Sequence, residues 1–233
     1  MSKTAAKTAA KTAATPPANP VDTFWTIRLA ATREGLEANN FEVSMAESLA
    51  DAARIFLQDI LPASGAKTVS FGGSMTVGKS GVPDALRAMD AIELLDTMNY
   101  KLPAAEMYEL RRQALLVDLF LSSTNALTVD GKLVNLDMIG NRVGGINFGP
   151  KKVVLFVGRN KVVDSVEDGM RHIKEFSAPT NAIRLSKKTP CTKTAECMDC
   201  KSPDRICNVW TVTEKAFPAK RIHVVLINED LGL

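Results

Sequence analysis

A chain of 233 residues with 45% hydrophobic and 24% charged side chains can build one ordinary globular domain with a core of normal size. Its formal charge of +3 and aromatic content of 6% form no basic stripe with interleaved aromatics, so no nucleic-acid surface is expected. No apolar run reaches the roughly 18 residues that span a bilayer, and the basic N-terminus lacks the apolar stretch of a secretory signal; both point to a cytoplasmic protein with no membrane span.

Residues 1–20 carry KTAA three times in succession and then TPPANP. Alanine and lysine favour helix, but Pro16, Pro17 and Pro20 stop it, and the composition reads as a disordered low-complexity tail. The folded domain is expected over residues 21–233. A helix capped by Asp22 runs to Asn39, followed by a strand over Phe41–Met45 and a helix over Ala46–Leu61. The apolar run Thr68–Phe71 is a strand that opens directly into Gly72-Gly73-Ser74. A helix over Val82–Met89 and a strand over Ile92–Leu95 come next, then a helix opened by Pro103 and running to Val117.

The middle of the chain changes pattern. Leu119–Ser122 is a strand. Ala126–Val129 and Lys132–Asp137 flank Asp130-Gly131, a strong hairpin signal. Lys152–Val157 is a further apolar strand, Ser165–Phe176 is helical, and strands over Val209–Thr213 and Arg221–Ile227 follow the cysteine segment. Strands alternating with helices, then an inserted β-hairpin, predict an α/β fold: a mostly parallel central sheet with helices on both faces. Ligands in such sheets sit beyond the carboxyl ends of the strands. Gly72–Ser74, Ser123–Asn125 and Gly158–Lys161 fall there and mark a candidate pocket, although glycines also serve tight turns alone.

All four cysteines lie in Cys191-x5-Cys197-x2-Cys200-x6-Cys207, within a cysteine-rich loop over residues 185–208. The Cys-x2-Cys pair sets two sulfurs at a spacing that grips one metal or cluster, and the flanking pair completes four thiolates. Zinc and a [4Fe–4S] cluster both accept four thiolates, and spacing alone does not choose between them or exclude plain thiols. Lys187, Lys188, Lys193, Lys201 and Arg205 surround the loop and would stabilise thiolate charge.

Gly73 to Ser80 matches the phosphate-binding pattern G-x-x-x-x-G-K-[ST] and follows a strand. That pattern needs a helix running on from the Lys-Ser pair, whereas Gly81-Val82-Pro83 breaks it, and no apolar strand ends in an aspartate suited to magnesium. Nucleoside triphosphate hydrolysis is therefore disfavoured, while anion binding by backbone N–H groups at Gly73–Met75 remains open. Asn141-Arg142 and Asn160-Lys161 follow strands or glycines and could meet a carboxylate or phosphate; ordinary surface pairing is the rival reading. His172 is expected in solvent and His223 packed in a strand, with no Ser-His-Asp arrangement.

Several of these segments, in order, resemble the lactate-utilisation (LUD) domain family. They are Gly72-Gly73-Ser74-Met75-Thr76; Asp118 to Asp137, reading DLFLSSTNALTVDGKLVNLD; Gly140-Asn141-Arg142; Gly149-Pro150-Lys151; Val157-Gly158-Arg159-Asn160-Lys161; Ala178-Pro179 with Asn181 and Arg184; and Thr189-Pro190-Cys191. The resemblance covers residues 22–233 and implies a fold of the sugar-isomerase and CoA-transferase type. It also implies kinship with subunits of an iron–sulfur system that oxidises L-lactate to pyruvate. The four-cysteine loop marks one branch of the family; the subunit of similar length in that system usually lacks it. The expected role is a redox accessory or electron-transfer subunit acting on lactate or a related small organic acid. It would carry an iron–sulfur cluster at Cys191, Cys197, Cys200 and Cys207 and work with iron–sulfur oxidoreductase partner subunits. Gly72, Gly73, Ser74, Thr124, Asn125, Asn141, Arg142, Asn160 and Lys161 become candidate ligand contacts. The rival is a stand-alone small-anion or nucleotide-binding enzyme or sensor with structural zinc.

Overall fold

The structure, a computed structural model, describes residues 19–99 and 101–233. The tail expected over residues 1–20 lies outside the described residues apart from Asn19 and Pro20, which open the first helix, α1 (Pro20–Ala38). Asn19 Oδ1 accepts the Val21 N–H at 3.0 Å, and Pro20 takes the first helical position. The helix thus starts ahead of Asp22, because a proline loses nothing where its N–H would have no partner anyway.

In chain order the strands are β1 (Glu42–Ala46), β2 (Thr68–Phe71), β3 (Glu93–Leu95), β4 (Leu119–Ser122), β5 (Ala126–Thr128), β6 (Leu133–Asp137), β7 (Lys152–Gly158), β8 (Val162–Val163), β9 (Val209–Thr213) and β10 (Ile222–Ile227). Six of them form one sheet in the order β1-β10-β7-β4-β2-β3, with every neighbouring pair parallel. The expected hairpin forms as β5-β6, but it is the heart of a second sheet, ordered β8-β5-β6-β9. β9 adds antiparallel to β6, and β8 adds parallel to β5.

The helices are α2 (Leu49–Ile55), α3 (Leu61–Ser64), α4 (Met75–Lys79), α5 (Val82–Arg87), α6 (Ala104–Gln113), α7 (Asn141–Asn147), α8 (Val166–His172), α9 (Ala178–Arg184) and α10 (Cys191–Thr194). Two long helices expected from periodicity are interrupted by wider π turns, Phe56–Ile60 between α2 and α3 and Ile173–Ser177 between α8 and α9. The cause is the same in both. Pro62 and Pro179 have no N–H to give and would press on the carbonyl one turn back, so the preceding turn widens. The Leu61 and Ala178 N–H groups reach back five residues, to the Phe56 and Ile173 carbonyls.

Alternation along the strands sorts the interior into layers. On one face of the large sheet, Val154, Phe156, Val225 and Ile227 pack with Phe56, Ile60, Val77 and Leu86 of the helices between β1 and β3. On the other, Val153, Leu155, Val224 and Leu226 pack with Leu36 of α1, Ile146 of α7, and Leu127 and Leu133 of the small sheet. The small sheet turns Ala126, Val134 and Leu136 outward onto Ile173, with Cys207 and Trp210 against that cluster. The second face of the large sheet is therefore covered largely by the small sheet rather than by helices alone.

The hairpin tip docks on α1 through two glycines in backbone contact. Gly131 has a positive φ of 84°, and a Cβ there would stand 2.3 Å from the Gly35 carbonyl carbon. Gly131→Ala is expected to lose at least about 2 kcal/mol of unfolding free energy in urea titrations. Gly73→Ala, with nothing within 4 Å of the new methyl, should stay within about 0.5 kcal/mol of the parent. Equal losses at the two positions would contradict the docking.

Candidate functional site

The chain leaves the large sheet for the small one twice at the same edge, after β4 through Ser123–Asn125 and after β7 through Arg159–Lys161. Because the large sheet is parallel, this edge holds the carboxyl ends of its strands, with Gly72 following β2 there as well. A crossing carries backbone carbonyls out of one ladder before they enter the next, and buried carbonyls need donors. Two buried cations supply them.

Arg142, 8% exposed, is the first. Its Nη1 donates to Ser123 O at 3.0 Å and to Asn135 Oδ1 at 2.6 Å; its Nη2 donates to Asn125 Oδ1 at 2.7 Å and Leu136 O at 3.1 Å. Nε lies 3.5 Å from Asp137 Oδ1. Four of the five guanidinium protons are thereby hydrogen-bonded and the fifth, on Nε, lies beside the Asp137 carboxylate, which leaves little for a ligand. The other oxygen of Asp137 accepts the Arg142 N–H at the start of α7, so one carboxylate both caps the helix and faces its arginine. Gly72 makes room for this: a Cβ there would stand 2.5 Å from Ser122 Oγ and 2.9 Å from Arg142 Cγ.

Lys161, 5% exposed, is the second. Its Nζ donates to Ser123 Oγ and to Thr124 O, both at 3.1 Å. Among the described residues no carboxylate pairs with it. Burial first, and then the Arg142 charge, push its ammonium down to about 7. Burial and the Lys161 charge also lower His172, whose Nε2 is enclosed without a hydrogen-bond partner among the described residues; this ring is not the solvated one the sequence suggested.

The other strand-end positions are placed as follows. Thr124 donates to Ala126 O and Asn135 Oδ1, and Asn125 accepts from Arg142 and from the Leu136 N–H, so both brace the crossing. Asn160 Oδ1 accepts the Leu231 N–H at 2.8 Å and holds down the segment after β10. Asn141 is the first residue of α7, next to Arg142. Ser74 caps α4 by accepting the Val77 N–H, and Gly73 is exposed beside it. Thr76, in the first turn of α4, has a buried Oγ1 with no hydrogen-bond partner among the described residues.

The four cysteines line one mainly apolar cavity, together with Ala178, Pro179 and Ala182 of α9 and with Met198 and Ile206. All four are free thiols. Arg205 ties the loop down: Nε donates to Cys207 O at 2.8 Å, Nη1 to Cys200 O at 2.6 Å and Nη2 to Asp199 Oδ1 at 2.9 Å. Lys174 reaches the same Asp199 oxygen at 2.8 Å. Burial raises the Cys207 thiol, against the pull of Arg205 and Lys174. The donor set suits a four-thiolate group. Among the described residues, however, no three or more Cys, His, Asp or Glu side chains stand at metal-ligand spacing, so the sulfurs would have to draw together around an occupant. The loop joins the strand-end cluster directly: the N–H of Asn208, next to Cys207, donates to Asp137 O at 3.0 Å.

The LUD domain family model matches residues 29–227. The chain belongs to the LUD domain family. That membership makes it a lactate-utilisation-type protein. A crystal structure of a DUF162 family protein from Deinococcus radiodurans is similar over 87% of this chain and 98% of its own, with 12% identity and a TM-score of 0.48. No curated protein matches the sequence significantly. No helix among the described residues is long and apolar enough to cross a membrane.

In this LUD domain the Gly-Lys-Ser pattern is not a phosphate cradle. Helix α4 stops at Lys79, which is exposed, and Gly81 turns the chain with a φ of 78° into α5. At the amino ends of β1 and β10, Ser44 Oγ stands 2.8 Å from His223 Nε2, and His223 Nδ1 lies 3.5 Å from Glu42 Oε2. Lys152 binds the same Glu42 oxygen, and burial drives His223 down to about 4. The histidine is packed and locally paired, as its strand position suggested.

The two buried cations are expected to behave oppositely. Arg142→Met should cost at least about 3 kcal/mol, since it strands Asp137 and two carbonyls. Lys161 is charged in both folded and unfolded chains below pH 7, where its burial cost is fully present. Between pH 7 and 10.5 the folded chain releases the proton that the unfolded chain keeps, so stability rises. Urea midpoints across that range should climb more in the wild type than in Lys161→Met, and parallel curves would contradict the assignment.

Proposed function

We propose that this LUD-domain chain is a redox accessory or electron-transfer subunit in the oxidation of lactate or a related small organic acid. Cys191, Cys197, Cys200 and Cys207 would be the four thiolate ligands of an iron–sulfur cluster of the [4Fe–4S] type. The observation that carries the reading is that all four thiols face one cavity while the loop holding them is anchored on Asp137, the carboxylate that faces Arg142 at the strand ends. Such a cluster would supply one-electron chemistry.

The chain's own residues account for the rest. Arg205 and Lys174 place positive charge beside the thiols, which favours the thiolate form that any metal requires. Ala178, Pro179 and Ala182 of α9 would give such a group an apolar wall on one side. Of the strand-end candidates Gly72, Gly73, Ser74, Thr124, Asn125, Asn141, Arg142, Asn160 and Lys161, Lys161 would be the one to meet a small anion, while Arg142, Thr124 and Asn125 would hold the crossing in place. Electrons would pass to or from iron–sulfur oxidoreductase partner subunits, and a cytoplasmic location fits cysteines kept reduced.

Protein purified without air is expected to carry about four irons and four acid-labile sulfides per chain, with a broad absorption band near 400 nm. Cys200→Ser should abolish most of that band while leaving the far-UV spectrum of the fold unchanged. Stoichiometric zinc in a colourless protein would overturn the redox role and favour the stand-alone anion-binding alternative.

A further inference from the structure

Lys161 has three ammonium protons, and two of them serve Ser123 Oγ and Thr124 O. One is left. Thr76 is 1% exposed, and its hydroxyl meets no partner among the described residues. Both groups lie against the same residue, Gly232, packed so closely that it has no room for a methyl. A Cβ added to Gly232 would stand 2.9 Å from Thr76 Oγ1 and 3.3 Å from Lys161 Nζ. The place that Gly232 covers therefore holds two donors and one positive charge with no carboxylate partner among the described residues.

The segment carrying Gly232 is strapped over the site by contacts that do not involve either donor. Glu229 O accepts the Arg159 N–H at 3.0 Å, Asp230 pairs with Arg159 at 2.9 Å, and the Leu231 N–H is held by Asn160. Arg142 and His172 are the other titratable groups whose charge is linked to Lys161, and neither brings negative charge. A buried cation without a counter-ion favours binding of an anion that reaches it.

We propose that Lys161 Nζ and Thr76 Oγ1 are the carboxylate-holding pair for a short-chain monocarboxylate, which enters by displacing the Gly232 turn. This deepens the organic-acid part of the proposed function and does not depend on the cluster. Two free donors match the two oxygens of one carboxylate, and one positive charge matches its single negative charge. A phosphate dianion would leave oxygens without donors and a charge unbalanced. Because the Lys161 ammonium sits near neutrality, the site is charged and receptive below pH 7 and weakens above it.

Isothermal titration of the full chain with L-lactate, pyruvate and inorganic phosphate at pH 6.5 tests the pair, with iron and sulfide measured on the same samples. Saturable one-to-one binding of lactate or pyruvate is expected, with phosphate failing to compete. Lys161→Met should weaken it about 100-fold and Thr76→Val about tenfold, while Thr76→Ser retains it. Unchanged binding in Lys161→Met, stronger binding of phosphate, or no binding of either acid overturns the proposal. If neither acid binds to cluster-loaded protein, the pair is wrong and the redox reading stands; binding through Lys161 in protein that never takes up iron supports the pair and sinks the redox reading.

Discussion

The need to satisfy backbone carbonyls where the chain passes from one sheet to the other governs this structure. Ser123 and Thr124 lie just past β4, and Leu136 lies beyond the paired part of the hairpin. Their carbonyls are buried away from solvent and outside the β4 and β5 ladders. Arg142 serves Ser123 and Leu136, and Lys161 serves Thr124. Leaving one such group bare costs about 1–3 kcal/mol, so two buried cations are tolerable here in a way they would not be elsewhere in the interior.

The two cations are not equivalent. Arg142 is largely occupied by its own neighbours and is balanced by Asp137, which makes it the fastener of the two sheets. Lys161 is held by two neutral acceptors, keeps a proton free and has no carboxylate partner among the described residues. It is a local cost that the packed layers around it offset, and such costs collect where a protein binds something. The cysteine loop continues from this junction: β9 is the partner of β6, its register sets Val209 opposite Asp137, and Cys207 comes two residues earlier. Fastener, free ammonium and thiols therefore belong to one connected stretch of structure.

Much of this was legible in the sequence. Apolar runs marked the strands of the large sheet, and Asp130-Gly131 marked the hairpin, because burial and turn geometry write directly into residue type. The strand-end glycines and Asn-rich turns lie at the edge where Arg142 and Lys161 are buried. The cysteine spacing pointed to a loop whose four thiols do line one cavity. What sequence could not show was pairing at a distance. Nothing in VNLD or SSTN says that Asn135 and Ser123 will share one arginine. Thr76 lay in the Gly72–Thr76 segment that overlaps the nucleotide-binding look-alike, and nothing there says that Gly232 will cover its hydroxyl. The π turns were missed because the expected helices, Ala46–Leu61 and Ser165–Phe176, stop short of Pro62 and Pro179, the residues that widen the turn before them.

The central claim is that the organic-acid site and the cysteine loop act as one unit. Electron paramagnetic resonance of the anaerobically reduced chain, recorded with and without L-lactate, tests it most directly. The account predicts a cluster signal whose g values shift on adding lactate in the wild type and stay fixed in Lys161→Met. A cluster signal that lactate leaves unchanged in the wild type would contradict it.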